Sequence, residues 1–158
     1  MEKEKAVANT STLLYTAKLN AFHLAKNMFS QILVPEQVIK EIFQKKSPEN
    51  NLIKIELNKF LKIVNINELR DIPIGRGEQS AISYCLKYNI WTFLSDDKNA
   101  RIIAESFGLK AKGILGILLW NLENKNIKNE ECKNMIDKLI EKGFYIAPQL
   151  YAEIIKTI

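Results

Sequence analysis

An apolar segment that stops on two adjacent carboxylates places the strongest constraint on how this chain folds. Residues 90–94 read IWTFL, a run of β-branched and aromatic residues typical of a buried strand. Asp96 and Asp97 follow, and residues 99–104 then space apolar side chains as a helix does. The pair is therefore predicted to lie in a strand-to-helix turn at the carboxyl end of a strand, where open α/β sheets bind ligands.

The acidic pair has two interpretations. Aspartate is a favoured helix N-cap, and acidic residues in a first helical turn interact favourably with the helix dipole. One Asp is enough for a cap, however, and adjacent like charges repel each other unless a cation such as Mg²⁺, which prefers oxygen ligands, lies between them. The segment alone leaves both a helix cap and a metal site open.

Composition narrows the class of protein. At 158 residues the chain is expected to form one domain, residues 1–158, with a core of its own. The 47% of hydrophobic and 26% of charged residues are typical of a soluble globular protein, and no apolar run approaches membrane-spanning length. The first ten residues hold no apolar segment of signal-peptide length, so a cytoplasmic location is expected. The net charge of +5 fits a nucleic-acid partner without requiring one.

Histidine and cysteine chemistry finds little support in the sequence. His23 is the only histidine, and the two cysteines, Cys85 and Cys132, lie far apart without a neighbouring His or Cys at ligand spacing. Zinc sites and Ser-His-Asp catalysis are therefore disfavoured. An enzyme built on this chain is expected to use carboxylates.

Strand and helix patterns alternate along the chain. Strands are predicted at 6–8, 31–34, 63–66, 90–94 and 109–111, with a short edge strand at 144–146. Helices are predicted at 13–19, 22–29, 36–43, 78–88, 99–107, 114–122, 129–142 and 148–158, a loop at 47–51, and an ambiguous, helically spaced segment at 52–61. This alternation predicts a three-layer α/β domain, with a central, mostly parallel sheet of four to five strands and helices on both faces.

Three further polar positions are candidates for the same site. Asn9 ends the first strand, Glu78 lies on the apolar face of its helix, and Glu41 lies at the margin of another apolar face. Each has a structural alternative: a helix N-cap for Asn9, a first-turn dipole contact for Glu78 and plain solvation for Glu41. Grouped with the acidic pair, they would form an oxygen-rich pocket that attracts Mg²⁺ or Mn²⁺.

Several segments together resemble a known family. In order, AVANTSTLLYTAKL, VPEQVIKEIF, GRGEQSAI and FLSDDKNARIIAESFGLKAKGILGILL resemble the PIN-domain proteins, most of all a prokaryotic branch of PIN-like nucleic-acid-binding proteins. The resemblance spans residues 6–151. It implies a PIN fold and a metal-dependent ribonuclease, often the toxin of a toxin–antitoxin pair, with RNA as substrate, a cognate antitoxin as partner and homodimers as the assembly.

The resemblance also implies site residues. The family's four acidic positions fall, in order, on Asn9, Glu41, Glu78 and Asp97 or its neighbour Asp96, and Ser95 takes the hydroxyl position before the last acid. The implied Mg²⁺ or Mn²⁺ ligands are Glu41, Glu78, Asp96 and Asp97. Arg101, Gly113 and Gly116 belong to the pattern of this branch without an assigned role.

Asn9 departs from the family, which usually has Asp at this position. An amide oxygen can coordinate a cation or orient a water, but it carries no charge. The expected Mg²⁺ affinity is lower, and Asp96 is the residue that would compensate. The leading expectation is a ribonuclease, and the alternative is a catalytically silent PIN-fold module that binds nucleic acid or protein. A phosphohydrolase of small substrates is the third reading.

Overall fold

The computed structural model describes residues 2–158, and all five strands in this part of the chain join one parallel sheet. The strands are β1 (Glu4–Ala8), β2 (Phe29–Pro35), β3 (Leu61–Val64), β4 (Thr92–Leu94) and β5 (Lys110–Lys112). Their order across the sheet is β3-β2-β1-β4-β5, so β1 is central. The predicted parallel sheet is confirmed.

Helices connect and follow these strands. They are α1 (Thr10–Lys18), α2 (Phe22–Met28), α3 (Glu36–Gln44), α4 (Glu49–Glu56), α5 (Arg76–Tyr88), α6 (Lys98–Ser106), α7 (Ile114–Glu123), α8 (Asn129–Glu141) and α9 (Pro148–Thr157). The ambiguous segment 52–61 divides between the end of α4, a turn and the first residue of β3. Helix α4 also takes up the end of the predicted 47–51 loop.

The predicted edge strand at 144–146 is wrong. Helix α8 ends at Glu141, Gly143 takes a left-handed conformation (φ +96°), and the chain then runs without a strand partner to α9. The Phe144 ring packs edge-on against Tyr15 at 5.0 Å, and Tyr145 is 80% exposed. Phe144 therefore packs on α1, and Tyr145 is left in solvent, so this segment does not extend the sheet.

Alternation of side chains along the strands divides the core into two layers. One face of the sheet presents residues such as Ala8 and Leu94 to α1, α2, α7 and α8, and the other presents Val7, Leu33 and Phe93 to α5 and α6. Helices therefore cover both faces, as predicted. Within residues 2–158 no helix is long and apolar enough to cross a membrane.

The strand register determines which residues lie side by side at the carboxyl ends of the strands. Ala8 of β1 pairs with Leu94 of β4, and Leu94 pairs in turn with Lys112 of β5. The next residues along the three strands, Asn9 and its counterparts in β4 and β5, therefore leave the sheet side by side. The backbone N–H of Asn9 donates to the Leu94 carbonyl at 2.8 Å, which fixes this row.

Candidate functional site

Four of the predicted polar residues gather at this edge. Asn9 follows β1 directly, Glu41 lies on α3 after β2, Glu78 lies in the first turn of α5, and Asp97 follows β4. Burial raises the pKa of Glu78 most, and the negative charges of Asp97 and, more weakly, Glu41 raise it further, so the three carboxylates are close enough to interact. We call Glu41, Glu78 and Asp97 the acidic cluster.

Asn9 contacts this cluster from the buried side and is only 4% exposed. Its Oδ1 accepts a hydrogen bond from the Thr10 backbone N–H at 2.7 Å, and its Nδ2 donates to Oε1 of Glu78 at 3.5 Å and to Oγ of Ser95 at 3.3 Å. The backbone N–H needs an acceptor, so the amide group must turn its NH₂ toward Glu78. Asn9 therefore caps α1 and contacts the cluster at once.

Glu78 is a half-buried carboxylate whose charge is disfavoured. Burial contributes most to the raised pKa, followed by the charge of Asp97, while hydrogen bonds from Asn9 and the backbone of Gly75 oppose the shift. Glu41 adds a smaller upward contribution. A carboxylate in this position is stabilised by a proton or by a cation.

Replacing Glu78 with Gln should therefore stabilise the metal-free protein at neutral pH. Because the folded-state pKa of Glu78 is raised, its contribution to stability is present below the ordinary value of 4.5 and is lost as the pH rises through the folded value. Thermal unfolding in EDTA should give Glu78→Gln a higher Tm than the original chain at pH 7 and an equal Tm near pH 4. Glu153→Gln, at an exposed position of α9, should leave the Tm difference flat between these pH values. A Glu78→Gln Tm that does not exceed the original at pH 7 would contradict the assignment.

Glu41 is positioned by a hydroxyl and a glycine. The Thr10 hydroxyl donates to Oε2 of Glu41 at 3.0 Å. A Cβ built on Gly77 would lie 2.8 Å from Oε2 and 2.9 Å from Oε1 of the same carboxylate. The absence of a side chain at Gly77 is what lets α5 approach Glu41 this closely.

Asp97 is the N-cap of α6. Its Oδ1 accepts from the Ala100 backbone N–H at 2.9 Å, and its own N–H donates to Oγ of Ser95 at 3.1 Å. Within residues 2–158 its Oδ2 accepts no hydrogen bond, and the side chain is exposed. The cap and ligand interpretations of this residue are therefore compatible, since one oxygen is left for a ligand.

Asp96 faces a different element, the start of α7. Its Oδ1 and Oδ2 each accept from the Ile114 backbone N–H at 3.1 Å, and the Thr12 hydroxyl donates to Oδ2 at 2.8 Å. The Asp96 backbone N–H donates to Oγ of Ser11 at 2.9 Å. A Cβ on Gly113 would collide with Oδ1, so this contact depends on glycine. The acidic pair thus caps two helices, which accounts for the second Asp without a metal.

Burial raises the pKa of Asp96, and hydrogen bonds from Thr12 and Ile114 oppose the shift, as does the nearby charge of Arg101. The Asp96 carboxylate therefore bonds to α1 and α7 and not to the acidic cluster, whereas Ser95 is linked to the cluster through Asn9 and the backbone of Asp97.

Three hydroxyl residues of the first turn of α1 contact either the acidic cluster or the neighbouring Asp96, and they were predicted only as helix-start residues. Thr10 contacts Glu41, and Ser11 and Thr12 contact Asp96. Their signal in the sequence is the run Asn-Thr-Ser-Thr, which holds more capping residues than one helix start requires.

The chemistry of the acidic cluster fits a hard divalent cation. Its donors are carboxylate oxygens that repel one another, and within residues 2–158 none of the three carboxylates is in a salt bridge. In the described part of the chain no three Asp, Glu, His or Cys side chains converge on one point. Cation binding would therefore require rotation of these side chains.

The family model of a PIN domain, DUF3368, matches residues 5–158. The chain therefore belongs to the PIN-domain family, whose members are commonly nucleases, bind nucleic acid and generally depend on divalent metal ions. The predicted family and fold are both confirmed.

A solved structure supports the same fold. It is a PilT N-terminus domain protein from the hyperthermophilic archaeon Sulfolobus solfataricus P2, which aligns with a TM-score of 0.59 and 15% identity over 75% of this chain and 94% of that chain. Among curated proteins, no match was found.

Proposed function

We propose that this protein is a Mg²⁺- or Mn²⁺-dependent endoribonuclease whose active site is the acidic cluster. The observation that carries the proposal is the half-buried Glu78 at the carboxyl edge of the sheet, where Asn9 contacts it, where burial raises its pKa, and where the charges of Asp97 and Glu41 raise it further. Evenly solvated surface acids would not shift the pKa of one member in this way. The choice of RNA rather than DNA rests on the resemblance of the sequence motifs to ribonuclease members of the family.

Each residue has a role in this proposal. Glu41, Glu78 and Asp97 would hold the cation, which lowers the pKa of a bound water and neutralises charge on the phosphodiester. Asn9 donates to Glu78 and keeps its carboxylate in place, and Ser95 holds the Asn9 amide. Asp96 fixes the turn that presents Asp97, because it ties that turn to α1 and α7. A homodimer restrained by a cognate antitoxin is the assembly that the resemblance implies, and the cytoplasmic location is proposed from the N-terminal sequence.

A second candidate function is a PIN-fold module that binds nucleic acid without cleaving it. The observation in its favour is the hydrogen bond from Asn9 to Glu78. A neutral NH₂ group here relieves part of the charge that a metal would otherwise balance, whereas an Asp would increase it. The nuclease requires a cation bound at the acidic cluster, whereas the binding module does not.

The Asp97→Asn variant tests the nuclease proposal. Asn is as good an N-cap as Asp, so folding should be preserved while one ligand charge is lost. Cleavage of an end-labelled single-stranded RNA in Mn²⁺ should fall at least about 100-fold, and EDTA should stop cleavage by the original chain. Glu105→Gln, which removes an exposed carboxylate from the same helix, should cut at the original rate.

The outcomes separate the two functions. Unchanged Mn²⁺-dependent cleavage by Asp97→Asn would contradict the proposed site. RNA binding by the original chain, with no cleavage in Mn²⁺ or Mg²⁺, would instead identify the binding module.

A further inference from the structure

A second cavity opens at the β5 end of the same sheet edge. It measures about 380 Å³, and its lining includes Arg101, Lys112, Gly113, Gly116, Trp120 and Glu123. Because Lys112 pairs with Leu94, it lies one strand away from the turn that carries Asp97, and neighbouring strands are about 4.8 Å apart. The Lys112 end of the cavity is therefore one strand from the turn that carries Asp97, the nearest member of the acidic cluster along the sheet.

Positive charge predominates in this cavity. Within residues 2–158 the Arg101 and Lys112 side chains make no salt bridge and no hydrogen bond to protein groups, and the exposed Glu123 is the one carboxylate in the lining. An arginine or lysine at a cavity wall without a protein partner offers all its donors to an anion.

Arg101 lies beside Asp96 and Gly113 at the cavity. The charge of Arg101 lowers the pKa of Asp96, so the two groups are near each other, but the Asp96 oxygens are already engaged by Ile114 and Thr12. A Cβ on Gly113 would lie 3.2 Å from Nη1 of Arg101, so glycine gives the guanidinium its place beside the backbone. The guanidinium thus has a defined position while its N–H donors remain available to a ligand.

The cavity also holds an aromatic surface. Trp120 lines it, is half-buried and packs partly on the core. Aromatic rings beside cationic side chains form the combination that binds single-stranded nucleic acid, because bases stack on the ring while phosphates pair with the cations. A simple anion site would need only the cations.

We propose that this cavity binds one nucleotide of a single-stranded RNA, with the base stacked on Trp120 and a phosphate held by Arg101 and Lys112. It would hold the strand beside the acidic cluster. The naming of RNA rests on the proposed function, whereas the site itself rests on the cavity. The proposal also gives a role to Arg101 and Gly113, which the sequence pattern singles out without assigning one.

The two tryptophans make this proposal directly measurable. Trp91→Phe leaves Trp120 as the only tryptophan, and Trp120→Phe leaves Trp91, which precedes β4 at the opposite edge of the sheet and is 53% exposed. Titration with hexaadenylate in EDTA, which prevents metal-dependent cleavage, should quench Trp120 fluorescence saturably and leave Trp91 fluorescence unchanged. Inorganic phosphate should quench neither.

Charge variants in the Trp91→Phe background extend the test. Arg101→Gln and Lys112→Gln should each raise the Kd for hexaadenylate about three- to tenfold and lower the slope of log K against log salt by about 0.7. Lys110→Gln, an exposed position of β5 outside the cavity lining, should change neither quantity. Tm measurements check that each variant folds. If Arg101→Gln lowers the Tm because it disturbs Asp96, the Lys112→Gln variant alone tests the contribution of positive charge.

The proposal is overturned if hexaadenylate does not quench Trp120, if it quenches Trp91 equally, or if Lys110→Gln weakens binding as much as Lys112→Gln. Its failure is distinguishable from failure of the proposed nuclease. If hexaadenylate quenches Trp120 but the protein does not cleave RNA, the nucleotide site is supported and the nuclease proposal is contradicted. If the protein cleaves RNA but Trp120 is not quenched, the nuclease is supported and the nucleotide site is contradicted.

Discussion

Changing Asn9 to Asp should make the stability of this protein depend on divalent cations. The new carboxylate would replace the amide that now donates to Glu78 at 3.5 Å, so a hydrogen bond is lost and a repulsion is gained. In EDTA the cost should be about 1–3 kcal/mol, seen as a lower Tm at pH 7. Mn²⁺ should raise the Tm of Asn9→Asp by more than it raises the Tm of the original chain, because the added charge strengthens cation binding to the folded state.

Asn27→Asp is the matched control for this result. Asn27 is half-buried on α2 and donates to Oδ1 of Asn121 at 2.9 Å, so its replacement also removes an amide donor, but away from the acidic cluster. The difference in Tm between Asn27→Asp and the original chain should be the same in Mn²⁺ as in EDTA. An equal Mn²⁺ response of Asn9→Asp and the original chain would show that position 9 does not contribute to a cation site. On the nuclease proposal, Asn9→Asp should also cleave RNA faster in Mn²⁺.

Asp96→Ala should destabilise the protein more than Asp97→Ala. The loss of Asp96 removes the acceptor for the Ile114 N–H and for the Thr12 hydroxyl, at a cost of ~2 kcal/mol. The loss of Asp97 removes one N-cap bond, from Ala100, at a cost of ~1 kcal/mol. For a chain of this size, thermal unfolding should show a Tm lower by about 4–8 °C for Asp96→Ala and by about half as much for Asp97→Ala.

The same pair separates stability from metal binding. In Mn²⁺ titrations the folded Asp96→Ala variant should bind the cation as the original chain does, and Asp97→Ala should bind it more weakly. A reversal of the order, with Asp97→Ala the less stable or Asp96→Ala the weaker metal binder, would contradict the contacts that the structure assigns to the two residues.

The parts of this fold that could be predicted from sequence are those with local causes. The strand at Thr92–Leu94, the capping residue Asp97 and the helix after it follow one another directly, so period and cap residues suffice. The carboxyl-edge position of Asn9 follows from the parallel sheet. The partner of Asp96 lies 18 residues further along the chain, and no local pattern indicates which helix it caps.

The error at 144–146 has the same origin. Phe144 and Ile146 have the composition of a strand, but which surface they cover depends on where α8 ends relative to α1. The contacts of Thr10, Ser11 and Thr12 with Glu41 and Asp96 likewise depend on how helices settle against the sheet edge. Propensity and period carry no information about such packing.

The sequence separations within the site have a consequence for synthesis of the chain. Its hydrogen bonds join residues 31 positions apart for Thr10 and Glu41, 69 for Asn9 and Glu78, and 86 for Asn9 and Ser95. Contacts of such length form late in folding, because the intervening chain must be ordered first. A nascent chain cannot complete the cluster until Asp97 has left the ribosome, and the contact of Asp96 with Ile114 requires a further stretch. The growing protein therefore carries no assembled acidic cluster until the chain from β1 through β4 has been synthesised.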